Sequence, residues 1–240
     1  VEFGVPQGSV LGPQLFVLYT ADLGRIAQKH GLDAHFYADD SQLYVFSKPG
    51  DADSAQERLL FCLDEFARWM AVNRLKLNPA KTEFMRCSTA RRNNQLSKEM
   101  IIFGGERITP ATSVRNLGVI VDSTMSFTAY VNRTVSSCFY QLRRIKSSLK
   151  AIQFETAKTL VNSFVVSRID YCNSLLAGMP KYQLDRLQHV MNEAARMLCG
   201  CSRRAHISEI IKNRLHWLRV PRRIEFKQCL LVYKSLHGLA

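Results

Sequence analysis

Two adjacent carboxylates, Asp39 and Asp40, stand between two β-prone runs. Ala34 to Ala38 lead in, and Leu43-Tyr44-Val45-Phe46 lead away. Strand, two-residue tip, strand is the pattern of a hairpin, and it puts Asp39-Asp40 at the tip. Carboxylates held there face solvent and offer hard oxygen ligands suited to Mg²⁺ or Mn²⁺. Aspartate is also ordinary turn chemistry. The pair alone therefore leaves a metal site and a plain turn both open, and the surrounding chain has to decide.

Gly4-Val5-Pro6-Gln7-Gly8-Ser9-Val10-Leu11-Gly12-Pro13 has three Gly and two Pro in ten residues. It reads as a tight loop whose glycines allow close approach of a ligand to backbone. Leading into a helix, such a loop can receive a phosphate or a polar base edge. Leu77-Asn78-Pro79-Ala80-Lys81-Thr82-Glu83-Phe84-Met85 reads as a turn, because Pro79 stops a helix, followed by a strand ending near Cys87. It presents one cation, Lys81. Cys199 and Cys201 with His206 invite a zinc reading, but the Cys-x-Cys spacing and the lack of a fourth ligand argue against it. Trp217 could stack on a base or pack against the last helix. Arg203-Arg204 and Arg222-Arg223 could contact phosphates or cap solvated helix ends.

The elements that must position these groups follow from periodicity. Leu15, Leu18, Tyr19, Leu23 and Ile26 recur at helical spacing from Pro13, and Gly31 can end that helix. Ser54-Ala55-Gln56-Glu57 fits a capping box. It opens a helix from about Ser54 to Arg74, with Leu59, Leu63, Phe66 and Met70 inward. Ile101 to Ile108, around Gly104-Gly105, reads as a small hairpin. Val114 to Val121 reads as one buried strand that Asp122 ends. From Phe127 onward the pattern is helical, with further helices at about Phe154–Val166, Tyr182–Leu198 and Arg222–Leu236. Pro180 and Pro221 stand near the starts of the last two.

Charge is uneven along the chain. Residues 1–140 carry 15 Lys and Arg against 14 Asp and Glu, whereas residues 141–240 carry 18 against 6. A basic segment joined to one that bears a site is the electrostatic footprint of a nucleic-acid-binding protein. Seven scattered cysteines, an odd number, speak for a reducing compartment rather than a disulfide framework. No stretch approaches the ~20 apolar residues of a membrane span. The start, Val1-Glu2-Phe3-Gly4, has neither the basic nor the apolar part of a signal peptide. An intracellular protein, nuclear or cytoplasmic, without a membrane partner is expected.

The Pro-Gln-Gly loop, Tyr37-Ala38-Asp39-Asp40, Leu77–Met85 with Lys81, and Arg115-Asn116-Leu117-Gly118-Val119 occur in a fixed order. Together they closely resemble the palm and thumb of a non-LTR retrotransposon (LINE-type) reverse transcriptase, over essentially the whole chain. The resemblance implies an α+β fold. Residues 1–125 would be a partial right-hand polymerase palm, an antiparallel sheet with helices, and residues 126–240 an all-α basic thumb and C-terminal region. It implies RNA-directed DNA polymerisation, a nucleotidyl transfer assisted by two Mg²⁺ (or Mn²⁺) ions. The partners would be an RNA template, a DNA primer or duplex, and deoxynucleoside triphosphates. Asp39 would be the main metal ligand and Asp40 a weaker one. Tyr37 and Ala38 would lie by the primer end. Pro6, Gln7 and Gly8 would line the template and nucleotide pocket, Lys81 would face the triphosphate, and Leu117 and Gly118 would belong to the primer-grip strand. The family's other metal-binding Asp lies upstream of the Pro-Gln-Gly loop, and this sequence begins three residues before that loop. The chain alone is therefore expected to be inactive, and a non-catalytic nucleic-acid-binding remnant is the competing expectation.

Overall fold

The computed structural model describes residues 8–93, 97–202 and 204–239. Helices are joined there by three separate two-stranded antiparallel sheets. The chain divides into two units, Val1–Phe84 with Ser97–Pro110, and Met85–Leu96 with Ala111–Ala240.

In the first unit the helix foreseen from Pro13 to Gly31 is two helices, α1 (Gly12–Tyr19) and α2 (Asp22–Lys29). The break comes at Thr20. Its hydroxyl and its N–H both donate to the Phe16 carbonyl, at 2.8 and 3.0 Å, and a side chain that bonds backbone in this way competes with helix continuation. Helix α2 ends as expected at Gly31, left-handed at φ 67°. The Leu32 N–H reaches the Ala27 carbonyl and the Gly31 N–H the Gln28 carbonyl, and Leu32 is buried behind them.

Strands β1 (Asp33–Tyr37) and β2 (Asp40–Tyr44) pair with Tyr37 opposite Asp40. The two-residue tip is therefore Ala38-Asp39, one residue earlier than the pattern indicated. Helix α3 (Ala52–Val72) starts at a 3₁₀ turn, Pro49–Asp51, so Ser54 and Glu57 lie inside the helix and no capping box forms. Pro49, with its φ already set, nucleates the earlier start. Cys62, Phe66 and Met70 of α3 close on Leu23, Ile26, Ala27 and Leu32. Its other flank, Leu60, Leu63 and Ala67, covers Ile101, Phe103 and Ile108. Those three belong to β3 (Ile101–Phe103) and β4 (Glu106–Ile108), joined by Gly104-Gly105 with φ 57° and 83°. Positive φ at both turn residues matches the right-handed twist of a tight hairpin. The strand expected to run towards Cys87 is a single bridge between Phe84 and Pro110. Proline has no N–H to extend such a ladder.

In the second unit, Val114–Val121 is a hairpin rather than one buried strand. Strands β5 (Ser113–Asn116) and β6 (Val119–Asp122) turn at Leu117-Gly118, both left-handed at φ 45° and 86°. Four helices carry the core: α4 (Thr128–Ser148), α5 (Phe154–Val161), α7 (Lys181–Cys199) and α8 (Val220–Leu236). A π-helical segment, Asn162–Val166, carries α5 into the short α6 (Ser167–Asp170), so this helix runs past the Val166 end expected for it. Val131 and Cys138 of α4, Val161, Val165, and Val190 and Met191 of α7 are fully enclosed. Trp217 is buried with Val220 and Ile224 in that core, which settles its role as packing.

Candidate active site

The acidic hairpin is anchored at its base and open at its tip. Phe36 stacks on Phe66 of α3, with ring centroids 6.5 Å apart, and Ala34, Leu43 and Val45 pack on the α2–α3 core. Across the strands His35 stacks on Tyr44 at 5.6 Å, and Tyr44 meets Phe46 edge-on at 5.7 Å. The His35–Tyr44 pair crosses the strands and supports their register, whereas Tyr44 and Phe46 are neighbours along one run of chain. Register in turn places Tyr37 and Asp40 side by side, with Asp39 in the turn. Ala38 bridges them at φ 52°. Tyr37 is 67% exposed, and Asp39 and Asp40 are exposed beside it. Among the described residues neither carboxylate takes part in a side-chain hydrogen bond or ion pair. Two adjacent, unpartnered carboxylates on a braced turn are a donor set that fits a hard divalent cation.

Pro6 and Gln7 lie outside the described residues. Gly8 is exposed, with φ 88°, a conformation that favours glycine. Lys81 is exposed at the end of a 3₁₀ turn, Pro79–Lys81. The Lys81 N–H and the Thr82 hydroxyl both donate to the Asn78 carbonyl at 3.1 Å. The Pro79 ring presses on Gly104, where a Cβ would come within 2.5 Å of Pro79 Cγ. The β3–β4 turn therefore locks the backbone that presents Lys81. The ammonium has no ion-pair partner among the described residues, and no hydrogen bond joins it to Asp39 or Asp40.

Leu117 and Gly118 belong to the second unit. The Tyr171 hydroxyl donates to the Leu117 carbonyl, and the Tyr171 ring lies 3.6 Å from where a Gly118 Cβ would stand. Tyr171 is a residue that sequence reading missed, because nothing local connects it to a turn 54 positions away. Tyr37, Ala38, Asp39 and Asp40 are thus gathered on one hairpin, while Lys81, Leu117 and Gly118 sit on other elements.

The remaining candidates separate clearly. Arg223 is committed inward: its guanidinium pairs with Asp170 at 2.6 Å and donates to the Leu218 carbonyl at 2.7 Å. Arg222 pairs with Glu225 on the same helix, and Arg204 is exposed, whereas Arg203 lies outside the described residues. Cys199 and Cys201 are half-buried and His206 is exposed. Among the described residues no three His, Cys, Asp or Glu side chains are grouped to hold a metal. No helix of the described residues is long and apolar enough to cross a membrane.

The comparisons with known proteins bear on the same segment. Residues 1–121 match the family model for reverse transcriptase (RNA-dependent DNA polymerase). The chain is 29% identical over 206 residues to a probable RNA-directed DNA polymerase from transposon BS of Drosophila melanogaster, covering 82% of this chain and 22% of that protein. It is 30% identical over 138 residues to the RNA-directed DNA polymerase from mobile element jockey of Drosophila funebris, covering 55% and 14%. It is 23% identical over 207 residues to a probable RNA-directed DNA polymerase from transposon X-element of Drosophila melanogaster, covering 84% and 22%. The chain spans about a fifth of the length of the first of these relatives. No solved structure matches it significantly. The chain belongs to the reverse transcriptase family of RNA-dependent DNA polymerases, in its non-LTR, LINE-type retrotransposon branch.

Proposed function

We propose that the β1–β2 hairpin is one side of a two-metal polymerase centre, in which Asp39 is the principal ligand and Asp40 its neighbour. The observation that carries this reading is the pair of exposed, unpartnered carboxylates on a braced turn, inside the segment that matches the family model. Two divalent ions, about 3.5–4 Å apart when bound, stabilise the attacking and leaving oxygens of an in-line displacement. Asp39 and Asp40 supply carboxylate oxygens to such ions. Tyr37, with its ring in solvent, and Ala38, whose single methyl leaves room, border the place of a primer end. Lys81 offers a positive charge to a departing pyrophosphate. Pro6, Gln7 and Gly8 would border the template and incoming nucleotide, and Leu117 and Gly118 would contact the primer strand from a turn. Residues 1–125 then act as part of a palm and residues 126–240 as the thumb. The partners are an RNA template, a DNA primer and deoxynucleoside triphosphates.

The described residues supply two carboxylates where a complete site needs a third ligand group, so the chain alone should bind metal weakly and should not polymerise. Titration with Mn²⁺, followed by electron paramagnetic resonance, tests the reading. Wild-type protein takes up the ion and Asp39→Ala does not; equal uptake by both would sink the assignment. Primer extension on a primed RNA with Mg²⁺ tests the second part, where robust incorporation abolished by Asp39→Ala would show a complete centre.

One observation favours a second reading, a nucleic-acid-binding remnant with a vestigial hairpin. The excess of basic residues beyond residue 140 requires no metal to bind a polyanion. Duplex binding that is salt-sensitive and indifferent to Asp39→Ala, with no Mn²⁺ uptake, would establish it.

A further inference from the structure

We infer that the solvent face of α4 is a grip for single-stranded nucleic acid, with Tyr140 as the platform for one unpaired base. Helix α4 spans 21 residues and contains no Asp or Glu. Its inner arc, including Val131, Cys138 and Leu142, is buried in the core of the second unit. The opposite arc presents Arg133, Ser136, Tyr140, Arg143, Arg144 and Ser147, all exposed. These positions recur at three- and four-residue steps, so they form one ridge. From Arg133 to Arg144 the ridge is about 16 Å long at 1.5 Å per residue.

Three properties of the ridge select the partner. First, the arginines are uncompensated: among the described residues, none of Arg133, Arg143 and Arg144 enters an ion pair. A row of free guanidiniums calls for a row of anions, and phosphates at strand spacing supply it. Second, Tyr140 is 51% exposed, and the Arg144 guanidinium lies 5.8 Å from its ring centroid. An aromatic ring paired with arginine in this way is the usual support for base stacking in single-strand binders. Third, the face is a convex helix ridge carrying a single ring. Bases inside a duplex are already stacked on each other and present only their edges, so the ring face can be used only by an unpaired base. Two further arginines hold the ridge in place from its flanks. Arg168 donates to Ser137 Oγ at 2.9 Å, and Arg186 donates to Asn132 Oδ1 at 2.6 Å.

The inference rests on the nucleic-acid reading of the basic helices and not on the metal centre, so it is tested in EDTA, where the hairpin carries no ion. Fluorescence anisotropy would compare labelled oligothymidylate and oligouridylate of about 12 nucleotides, within the size of one site, with a duplex of equal length. Tyr140→Ala is expected to weaken single-strand binding about ten-fold, a typical cost of losing one stacked base, and to leave duplex binding within two-fold. Tyr140→Phe should restore the wild-type value, because the ring and not the hydroxyl supports the base. Arg133→Gln with Arg144→Gln should reduce the salt slope for single strands by about 1.4, close to 0.7 for each phosphate no longer neutralised. Tyr140 is half exposed, so circular dichroism of the variants should match wild type. Tighter binding of duplex than of single strand, with Tyr140→Ala silent on both, would overturn the proposal. A Tyr140→Ala loss equal for both probes would overturn it too, by assigning the ridge to duplex. Mn²⁺ uptake at Asp39, measured separately, is unaffected by either outcome.

Discussion

Ala38 holds a left-handed backbone that costs an L-residue of its kind about 1–2 kcal/mol. The cost is met by the cross-strand register around it, and the result is an Asp39 carboxylate set at a turn instead of along a strand. The type of residue at 38 could be read from the chain; the sign of its φ could not. Cysteine behaviour shows the same division. Cys62 and Cys138 are fully enclosed, and burial pushes both thiols up to about 11, with Glu65 adding to the rise at Cys62 and Arg168 opposing it at Cys138. Cys229 is exposed on α8. Titration with Ellman's reagent at pH 8 should modify Cys229 in the native protein, whereas Cys62 and Cys138 should react only after denaturant is added. Prompt native-state labelling of the Cys62→Ser, Cys138→Ser pair at the same stoichiometry as wild type is the expected control, and a loss of two fast thiols in that pair would contradict the burial.

At the scale of elements, two turns decide what the flanking chain presents. Gly104 sits against Pro79 at φ 57°, and a Cβ there would have to displace the ring that braces the Lys81 turn. Gly104→Ala should therefore destabilise the first unit by at least ~1–2 kcal/mol from the backbone conformation alone. Gly50→Ala, with open space around its Cβ, serves as the comparison in thermal unfolding. The second turn links β6 to α4 through Asp122. One carboxylate oxygen accepts from the Thr124 N–H, the Thr124 hydroxyl and the Ser126 N–H at 3.1, 2.6 and 2.9 Å, and the other accepts from the Ser126 hydroxyl at 3.1 Å. Burial pushes this carboxyl up, but the hydrogen bonds from Thr124 and Ser126 together outweigh it and hold it below the usual aspartate range. A lowered folded value means stability that is present above the unfolded value, near pH 4, and is lost as pH falls through the folded one. Asp122→Asn should cost about 1–2 kcal/mol at neutral pH. Its deficit relative to wild type should shrink in urea melts below about pH 4; a deficit constant from pH 7 to pH 3 would show that charge plays no part.

For the whole molecule, the division of charge matters more than its total. Eighteen basic residues against six acidic ones after position 140 set up a field that attracts polyanions without any metal. Within it Arg223 and Arg196 are internally paired, while among the described residues Arg143 and Arg144 of α4 enter no ion pair. Binding of a non-specific duplex should fall steeply with salt, by a factor of ten or more between 50 and 200 mM if about three phosphates are neutralised. Asp39→Ala should leave that curve unchanged. A salt-independent affinity would remove the electrostatic basis for placing nucleic acid on this part of the chain.

The motifs around Asp39, Lys81 and Leu117, the family they indicate, and the positions of α3, α4, α7 and α8 were legible in the sequence, because they depend on residue types a few positions apart. Gly31 ending α2 and Gly104-Gly105 turning β3 into β4 are of this kind, since a glycine at such a point acts through its own backbone. What only the tertiary structure decided depends on partners far along the chain. Hairpin register moved the tip to Ala38-Asp39. Leu117-Gly118 became a turn, against which Tyr171 packs, when the residue pattern read as a buried strand. Asp170 drew Arg223 inward, away from any phosphate. Periodicity records which face of an element is apolar, but it carries no information about which distant side chain will meet that face once the core has closed.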